Sequence, residues 1–318
     1  MNCGVVYDSF FEKHTTGFNH PEKFNRATVI HDRLKKSGLL EKTGKIKAVE
    51  ISEENLCLAH DRNYLKKAKF EIEREANQLS TGDTNICPNS WKVGSLASGG
   101  VVKSVDQIIN GDFKQVFCIT RPPGHHANSF KGMGFCLFNH VALAARYAQK
   151  KFGLGKVLIV DWDVHHGNGT QDIFYEDDSV FFFSTHQSPW YPGTGRSEET
   201  GKGKGLGYTL NLPLPSGSGR KEIIEHAFSH HLPKYISRFK PELILISAGF
   251  DSRMNDPLGQ FTLDDNDFYD LTNIMLSIAK EHSESRVISV LEGGYNLKGL
   301  ASASESHLKA FIDFPKTN

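Results

Sequence analysis

Asp161, Asp163 and His165 follow the apolar run 157–160, each two residues from the next. In extended chain alternate residues share a face, so the three point one way at a strand end. Carboxylates and an imidazole in an apolar setting are costly unless paired or bound to a metal. A divalent cation that accepts mixed nitrogen and oxygen ligands, Zn2+ first, suits them. A third ligand has to come from another strand end, and Asp251, just after the run 243–247, is the best placed. Three protein ligands leave a coordination position open, as in catalytic zinc sites. A buried salt-bridge cluster is the competing reading of the same residues.

Two further sets of residues suit proton and oxyanion chemistry. His125-His126 follow Arg121-Pro122-Pro123-Gly124, a loop stiffened by its prolines. Tandem histidines there suit proton transfer near neutral pH, one acting on a water while a carboxylate such as Asp161 keeps the other charged. Alone, a histidine pair is a weak signal. Tyr295, after Glu292-Gly293-Gly294, could donate to a carbonyl oxygen as it becomes an oxyanion. Without the other groups it would be a packed tyrosine after a turn. His186, after the run 180–184, is a further candidate ligand. The stretch Gly201-Lys202-Gly203-Lys204-Gly205-Leu206-Gly207 lacks phosphate-loop spacing and precedes a strand, so it reads as a flexible loop. GxSxG and HExxH are absent.

These residues lie far apart in the chain, and the elements before them must bring them together. Apolar runs at 116–120, 157–160, 180–184, 243–247 and 287–291 alternate with helix-length segments, the pattern of a parallel sheet covered on both faces. In such sheets the loops after the strand C-termini meet in one crevice, where ligands bind. Further strands are expected at 4–7, 48–51 and 208–212. Helices are expected at 24–37, 64–79, 90–109 (with Ser90 as its cap), 139–151, 170–175, 221–238, 265–282 and 299–311. The small residues Gly94, Ala97, Gly99 and Gly100 predict close packing of the helix 90–109 on the sheet. No repeat or linker divides the 318 residues, which read as one domain, 1–318. Charge is balanced at 37 basic and 37 acidic residues, which gives no support for a nucleic-acid face or a membrane patch. The five cysteines are widely spaced without CxxC, and the N-terminus does not read as a signal peptide, so a reducing cytoplasm is the expectation.

The segments RPPGHHA (121–127), GFCLFNHVALAA (134–145), DWDVHHGNGTQDIFY (161–175), YPGTG (191–195), SAGFDSRMNDPLG (247–259) and LEGGYN (291–296) resemble the histone deacetylase family. That family includes bacterial histone deacetylase-like amidohydrolases and acetylpolyamine amidohydrolases. His20-Pro21-Glu22 and Ala59-His60-Asp61 look like its N-terminal segments. The resemblance implies an arginase/deacetylase-like α/β fold with a central parallel sheet of about eight strands. It assigns Zn2+ to Asp163, His165 and Asp251. It makes His126 the general base and then acid, with His125 paired to Asp161 and Tyr295 polarising the amide carbonyl. It implies K+ around Asp161, Asp163, His165, Ser184 and Thr185, and a second K+ near Phe174, Asp177, Val180 and Tyr208. Phe135 and Tyr191 would line a tunnel for an acyl-lysine, with Gly134 accepting from its amide. His186 is left as a structural residue. Asn168 stands where class I members carry aspartate, so the chain looks closer to class II and bacterial enzymes. If Asn168 partners His126, it stabilises that imidazolium less than a carboxylate would.

The activity implied is zinc-dependent removal of acetyl or other acyl groups from lysine side chains of peptides or proteins. A small acetylated amine such as an acetylpolyamine is the alternative substrate, and Glu22, Asp83 or Asp256 could serve as acids at the pocket mouth. Arginase-like chemistry would need bridging ligands for two metals, and the ligands here fill one site. A non-catalytic binding module would have no use for His126, the metal ligands and Tyr295 together.

Overall fold

The computed structural model describes residues 2–111 and 113–315. Met1, Asp112 and residues 316–318, which the expected 1–318 domain includes, lie outside the described residues. Among the described residues eight strands form one sheet: β1 (Cys3–Val6), β2 (Gly44–Ile46), β3 (Gln115–Cys118), β4 (Val157–Asp161), β5 (Val180–Gln187), β6 (Thr209–Leu214), β7 (Leu243–Ala248) and β8 (Val287–Leu291). Their order is β2-β1-β3-β8-β7-β4-β5-β6, and every pair is parallel. The central strands β3, β4, β7 and β8 are buried along their whole length. Such strands need helices on both faces, which is why they read as unbroken apolar runs.

The helices are α1 (Arg26–Lys36), α2 (Glu53–Leu56), α3 (Arg62–Glu73), α4 (Ser90–Ile109), α5 (His140–Phe152), α6 (Asn168–Phe174), α7 (Leu232–Phe239), α8 (Asp265–His282) and α9 (Leu297–Asp313). Helix α4 packs on α5, and α9 packs on both α1 and α8. Local chemistry sets their starts. The Asn139 side chain accepts from the Ala142 N–H at the head of α5. Asp264 and Asp267 form a reciprocal capping box at the head of α8. No helix among the described residues is long and apolar enough to cross a membrane.

Several boundaries differ from the sequence expectation. The second strand is Gly44–Ile46, and residues 48–51 are not a strand. They run instead against α4, where a Cβ on Gly99 would lie 1.8 Å from the Val49 carbonyl oxygen and the Ile51 N–H donates to the Ser95 carbonyl. The small residues of α4 thus admit a neighbouring backbone. Helix α3 ends at Glu73, and Glu75 already has φ 59. Asn89, not Ser90, precedes α4, and the Ser90 hydroxyl accepts from the Cys87 N–H at 2.7 Å. The expected helix 221–238 is a π-helix over Lys221–His231 followed by α7. Strand β4 stops at Asp161, for a reason that belongs to the site.

Candidate active site

Strands β3, β8, β7 and β4 are consecutive in the sheet, so the segments leaving their C-terminal ends converge. Asp161 closes β4, level with Ser247 of β7 and Ser184 of β5. Beyond it the chain is folded by its own carboxylates. Asp161 Oδ1 accepts from the Asp163 N–H at 3.1 Å, and Asp163 Oδ1 from the His165 N–H at 2.9 Å. Such turns end the extended chain. Asp161, Asp163 and His165 therefore do not share one strand face as the spacing suggested. Asp161 turns to His125, while Asp163 and His165 meet Asp251.

Asp163, His165 and Asp251 are buried and offer ligand atoms all within 4.8 Å of one another. His165 Nδ1 lies 3.0 Å from Asp163 Oδ1 and 3.2 Å from Asp251 Oδ2. Beyond that His165 contact, Asp251 Oδ2 is buried and meets no hydrogen-bond donor among the described residues. A buried carboxylate oxygen so little compensated is costly, and a cation would remove that cost. A Cβ on Gly293 would sit 1.9 Å from the same oxygen, so glycine leaves the space beside it open. The residues present fit a divalent ion that takes nitrogen and oxygen together.

Two histidines from the loop after β3 flank this group. His125 Nδ1 lies 2.8 Å from Asp161 Oδ2, and its ring is 4.0 Å from that of His126. Burial opposes a charge on His125, but Asp161 and Asp163 outweigh it and hold its pKa well above the usual value. His126 Nδ1 lies 2.8 Å from Asn168 Oδ1, at the start of α6. Burial, then the charges of His125 and His165, push His126 well below the usual value. One histidine is thus held charged and its neighbour neutral, through opposite partners. Glu292 braces the pair. Its Oε2 accepts from the Gly124 and His125 N–H groups at 2.6 and 3.1 Å, and its Oε1 accepts from the Ser247 hydroxyl.

Tyr295 approaches from the loop after β8 and is nearly buried. Burial pushes its phenol well above the usual range, so it stays protonated. Its backbone N–H donates to Asp256 Oδ2 at 2.7 Å. Arg26 in α1 donates to the Gly294 and Glu292 carbonyls at 2.7 and 2.6 Å, and its guanidinium lies 4.8 Å from the centre of the Tyr295 ring. A pocket of about 250 Å3 opens above the group, lined by Asp83, His126, Gly134, Phe135, His165, Trp190, Tyr191, Leu258 and Tyr295. Asp83 accepts from the Gly134 N–H at 2.6 Å and from the Tyr191 hydroxyl at 3.3 Å. The Trp190 indole N–H donates to the Leu258 carbonyl at 2.8 Å.

Other sequence candidates fall elsewhere. Glu22, expected at the mouth, is fully buried between Arg121 and Arg26, with Oε2 2.5 Å from Arg121 Nη2 and Oε1 3.2 Å from Arg26 Nη1. It cannot meet a substrate, because two buried guanidiniums need it as counter-charge. Asp256 is also withdrawn, accepting from the Tyr295, Asn296 and Leu258 N–H groups. Both ring nitrogens of His186 are taken, by Ser184 Oγ and the Gly195 carbonyl, each at 2.9 Å. Ser184 and Thr185 continue β5 beside Asp161. Phe174, Asp177, Val180 and Tyr208 lie at the end of α6 and the starts of β5 and β6, where the Asp177 carboxylate is bonded by Ser179 and Arg146. Sequence reasoning missed Arg26, Glu292, Trp190 and Leu258. A signal existed for the first, since Glu22 and Arg26 are four apart at a helix start.

Residues 20–311 match the family model described as the histone deacetylase domain. A probable deacetylase of Archaeoglobus fulgidus is 36% identical over 301 residues, covering 94% of this chain and 83% of that protein. The polyamine deacetylase HDAC10 of Mus musculus is 39% identical over 289 residues, covering 87% of this chain and 43% of that protein. The crystal structure of the HDA15 HD domain superposes with a TM-score of 0.93 at 34% identity, covering 99% of this chain and 91% of that one.

Proposed function

The chain belongs to the histone deacetylase family, which makes it an amide-hydrolysing deacetylase with the arginase/deacetylase-like α/β fold, and from that premise we propose a zinc-dependent enzyme that removes acetyl groups from lysine side chains of peptides or proteins, releasing acetate. The observation that carries the choice of substrate is the pocket mouth. Asp83 is the one carboxylate among the described lining residues, and a backbone N–H and a phenol already engage it. A polycation would find little charge there, whereas an alkyl chain entering between Phe135, Tyr191 and Leu258 meets apolar surface. In this reading 1–318 is one catalytic domain working in the cytoplasm, and the five free cysteines suit a reducing compartment.

Asp163, His165 and Asp251 would hold Zn2+, which when bound supplies a Lewis acid toward the carbonyl and the attacking water. His126, kept neutral, takes the proton of the attacking water on Nε2, because Nδ1 is committed to Asn168. The same nitrogen returns a proton to the departing amine. His125, kept charged by Asp161, adds positive charge beside the reacting centre. Tyr295 donates its phenolic proton as a hydrogen bond to the carbonyl oxygen while negative charge builds there. Gly134 faces the amide of the bound side chain. Structural K+ near Asp161, Asp163, His165, Ser184 and Thr185, and near Phe174, Asp177, Val180 and Tyr208, completes the proposal.

The test compares initial rates of the zinc-loaded protein on acetyl-lysine peptides, longer acyl-lysine peptides and acetylated polyamines. The highest kcat/KM is expected for an acyl-lysine peptide. A higher value for an acetylpolyamine would transfer the assignment to the small-amine reading.

A further inference from the structure

The segment Lys221–His231 is wound as a π-helix and runs on into α7. Such winding closes hydrogen bonds at i→i+5 and is rare beyond a single turn. It has a chemical consequence here. His226 and His231, five apart, face each other with ring centroids 4.5 Å apart, planes at 67° and Nε2 atoms 3.2 Å apart. In an α-helix five residues turn through about 140° around the axis, which would send the two rings to different sides.

Two imidazole nitrogens this close cannot both present lone pairs to each other. Either a proton on one is donated to the other, or a cation takes both. Two Zn–N bonds of about 2.0–2.1 Å at a tetrahedral angle span roughly 3.3 Å, and the nitrogens already stand 3.2 Å apart. We propose that His226 and His231 form a second metal site, on the protein surface, for a borderline divalent cation such as Zn2+, Ni2+ or Cu2+, completed by water. Nitrogen donors without a carboxylate favour these ions over Mg2+ or Ca2+, with Cu2+ the tightest. His230 is a neighbour rather than a ligand. Its ring stacks 6.2 Å from that of His226, and its Nε2 accepts from Lys234 Nζ at 2.8 Å.

The position separates this site from the catalytic pocket. His231 lines a cavity with Lys156, Phe181, Tyr208 and Phe239. Lys156 and Tyr208 immediately precede β4 and β6, and Phe181 is the second residue of β5. The site therefore lies toward the N-terminal ends of these strands, whereas Asp163, His165 and Asp251 follow the C-terminal ends. A cation there would bridge residues five apart and so hold the π winding against an α-helical one.

Nickel is the probe. The protein, loaded with its active-site metal, is dialysed against rising Ni2+ and the bound nickel is counted for the parent and for His226→Ala, His231→Ala and His230→Ala. The parent and His230→Ala should each bind one more nickel per chain than His226→Ala or His231→Ala, with deacetylase rates alike in all four. His226→Gln, which lacks the ring but keeps bulk, gives the same reading should the alanine form not fold. Equal nickel on the parent and the His226 variants overturns the site and leaves a proton-sharing pair. Loss on His230→Ala with retention on His226→Ala overturns the assignment of ligands.

Discussion

His126 Nδ1 lies 2.8 Å from Asn168 Oδ1, while the Asn168 amide nitrogen lies 3.5 Å from the Met133 sulfur. The carbonyl end of the amide thus faces the histidine, Nδ1–H donates to it, and Nε2 is left with its lone pair toward the pocket. The neutral amide fixes the tautomer without adding the charge that Asp161 brings to His125. Asn168→Ala should lower kcat by about 10²-fold, the scale of a general-base contribution, with KM little changed. Asn168→Asp, which still accepts from Nδ1–H, should recover most of that loss. Steady-state kinetics on an acetyl-lysine peptide check both, and an alanine variant as fast as the parent would remove Asn168 from the mechanism.

Tyr295→Phe should cost about 10²–10³ in kcat, the usual cost of one lost oxyanion donor, with metal content unchanged. Asp256 sets where that phenol stands, by accepting from the Tyr295 and Asn296 N–H groups. Asp256→Ala should also lower kcat, but it should cost little in the Tyr295→Phe background, because residues that act as a unit are not additive. A double-mutant cycle reads this directly, and full additivity would show that Asp256 acts through something other than Tyr295.

Asp251 Oδ2 meets only His165 Nδ1, at 3.2 Å, among the described residues, which makes it the carboxylate oxygen most open to a cation. Asp251→Ala should lose the metal and the activity while the fold survives. Dialysis of the parent against a strong chelator should abolish turnover, and Zn2+ should restore it. Metal analysis after gel filtration checks the first claim, and full retention by Asp251→Ala would remove it from the ligand set.

Glu22 joins two loops. Its carboxylate binds Arg121, which heads the loop of His125 and His126, and Arg26, which binds the carbonyls around Tyr295. Burial works against its charge, but Arg121 and Arg26 prevail and lower its pKa. Removing one partner of a buried charge cluster typically costs about 3–5 kcal/mol. Glu22→Ala should lose stability on that scale in urea unfolding, and activity with it. A midpoint unchanged from the parent would mean that the two arginines find other compensation.

Stability should also fall on mild acidification. Burial lowers His60 and His140 to about 4 and His307 to about 3. Their ring nitrogens are already used, for instance by the Asn128 carbonyl and the Asn139 N–H at His60. An unfolded histidine takes a proton near 6.5. Below that pH these three positions bind more protons in the unfolded chain than in the folded one, so their contribution to stability is full above about 6.5 and declines as the pH falls toward their folded values of about 4 and 3. Each such histidine contributes roughly 1.4 kcal/mol per pH unit within that window. Urea midpoints between pH 7.5 and 5 for the parent and a His140→Gln variant test it, since the difference between the two cancels the buried Asp251 and Glu292, which burial raises to about 7, and equal slopes would contradict it.

The order of strands and helices was legible because each buried strand must be apolar throughout and each crossover must be long enough for a helix. The bounds 265–282 of α8 match the expectation, with Asp264 and Asp267 capping its start. The same logic marked the polar residues after β3, β4, β7 and β8, since a parallel sheet brings those ends to one edge. What local pattern could not show is where a side chain finds its partner. Asp161 and Asp163 are two apart, yet one meets a histidine from the loop after β3 and the other the group after β7. Glu22 looks like a surface acid in sequence and is a buried counter-ion in space, because its arginines arrive from residues 4 and 99 positions away. The winding of Lys221–His231 lay equally out of reach, because helical periodicity names a buried face and leaves the hydrogen-bond step open. Sequence alone determined which candidate residues gather at one edge of the sheet and which end of the sheet presents them. The tertiary structure decided charge, tautomer and exposure, which depend on partners distant along the chain.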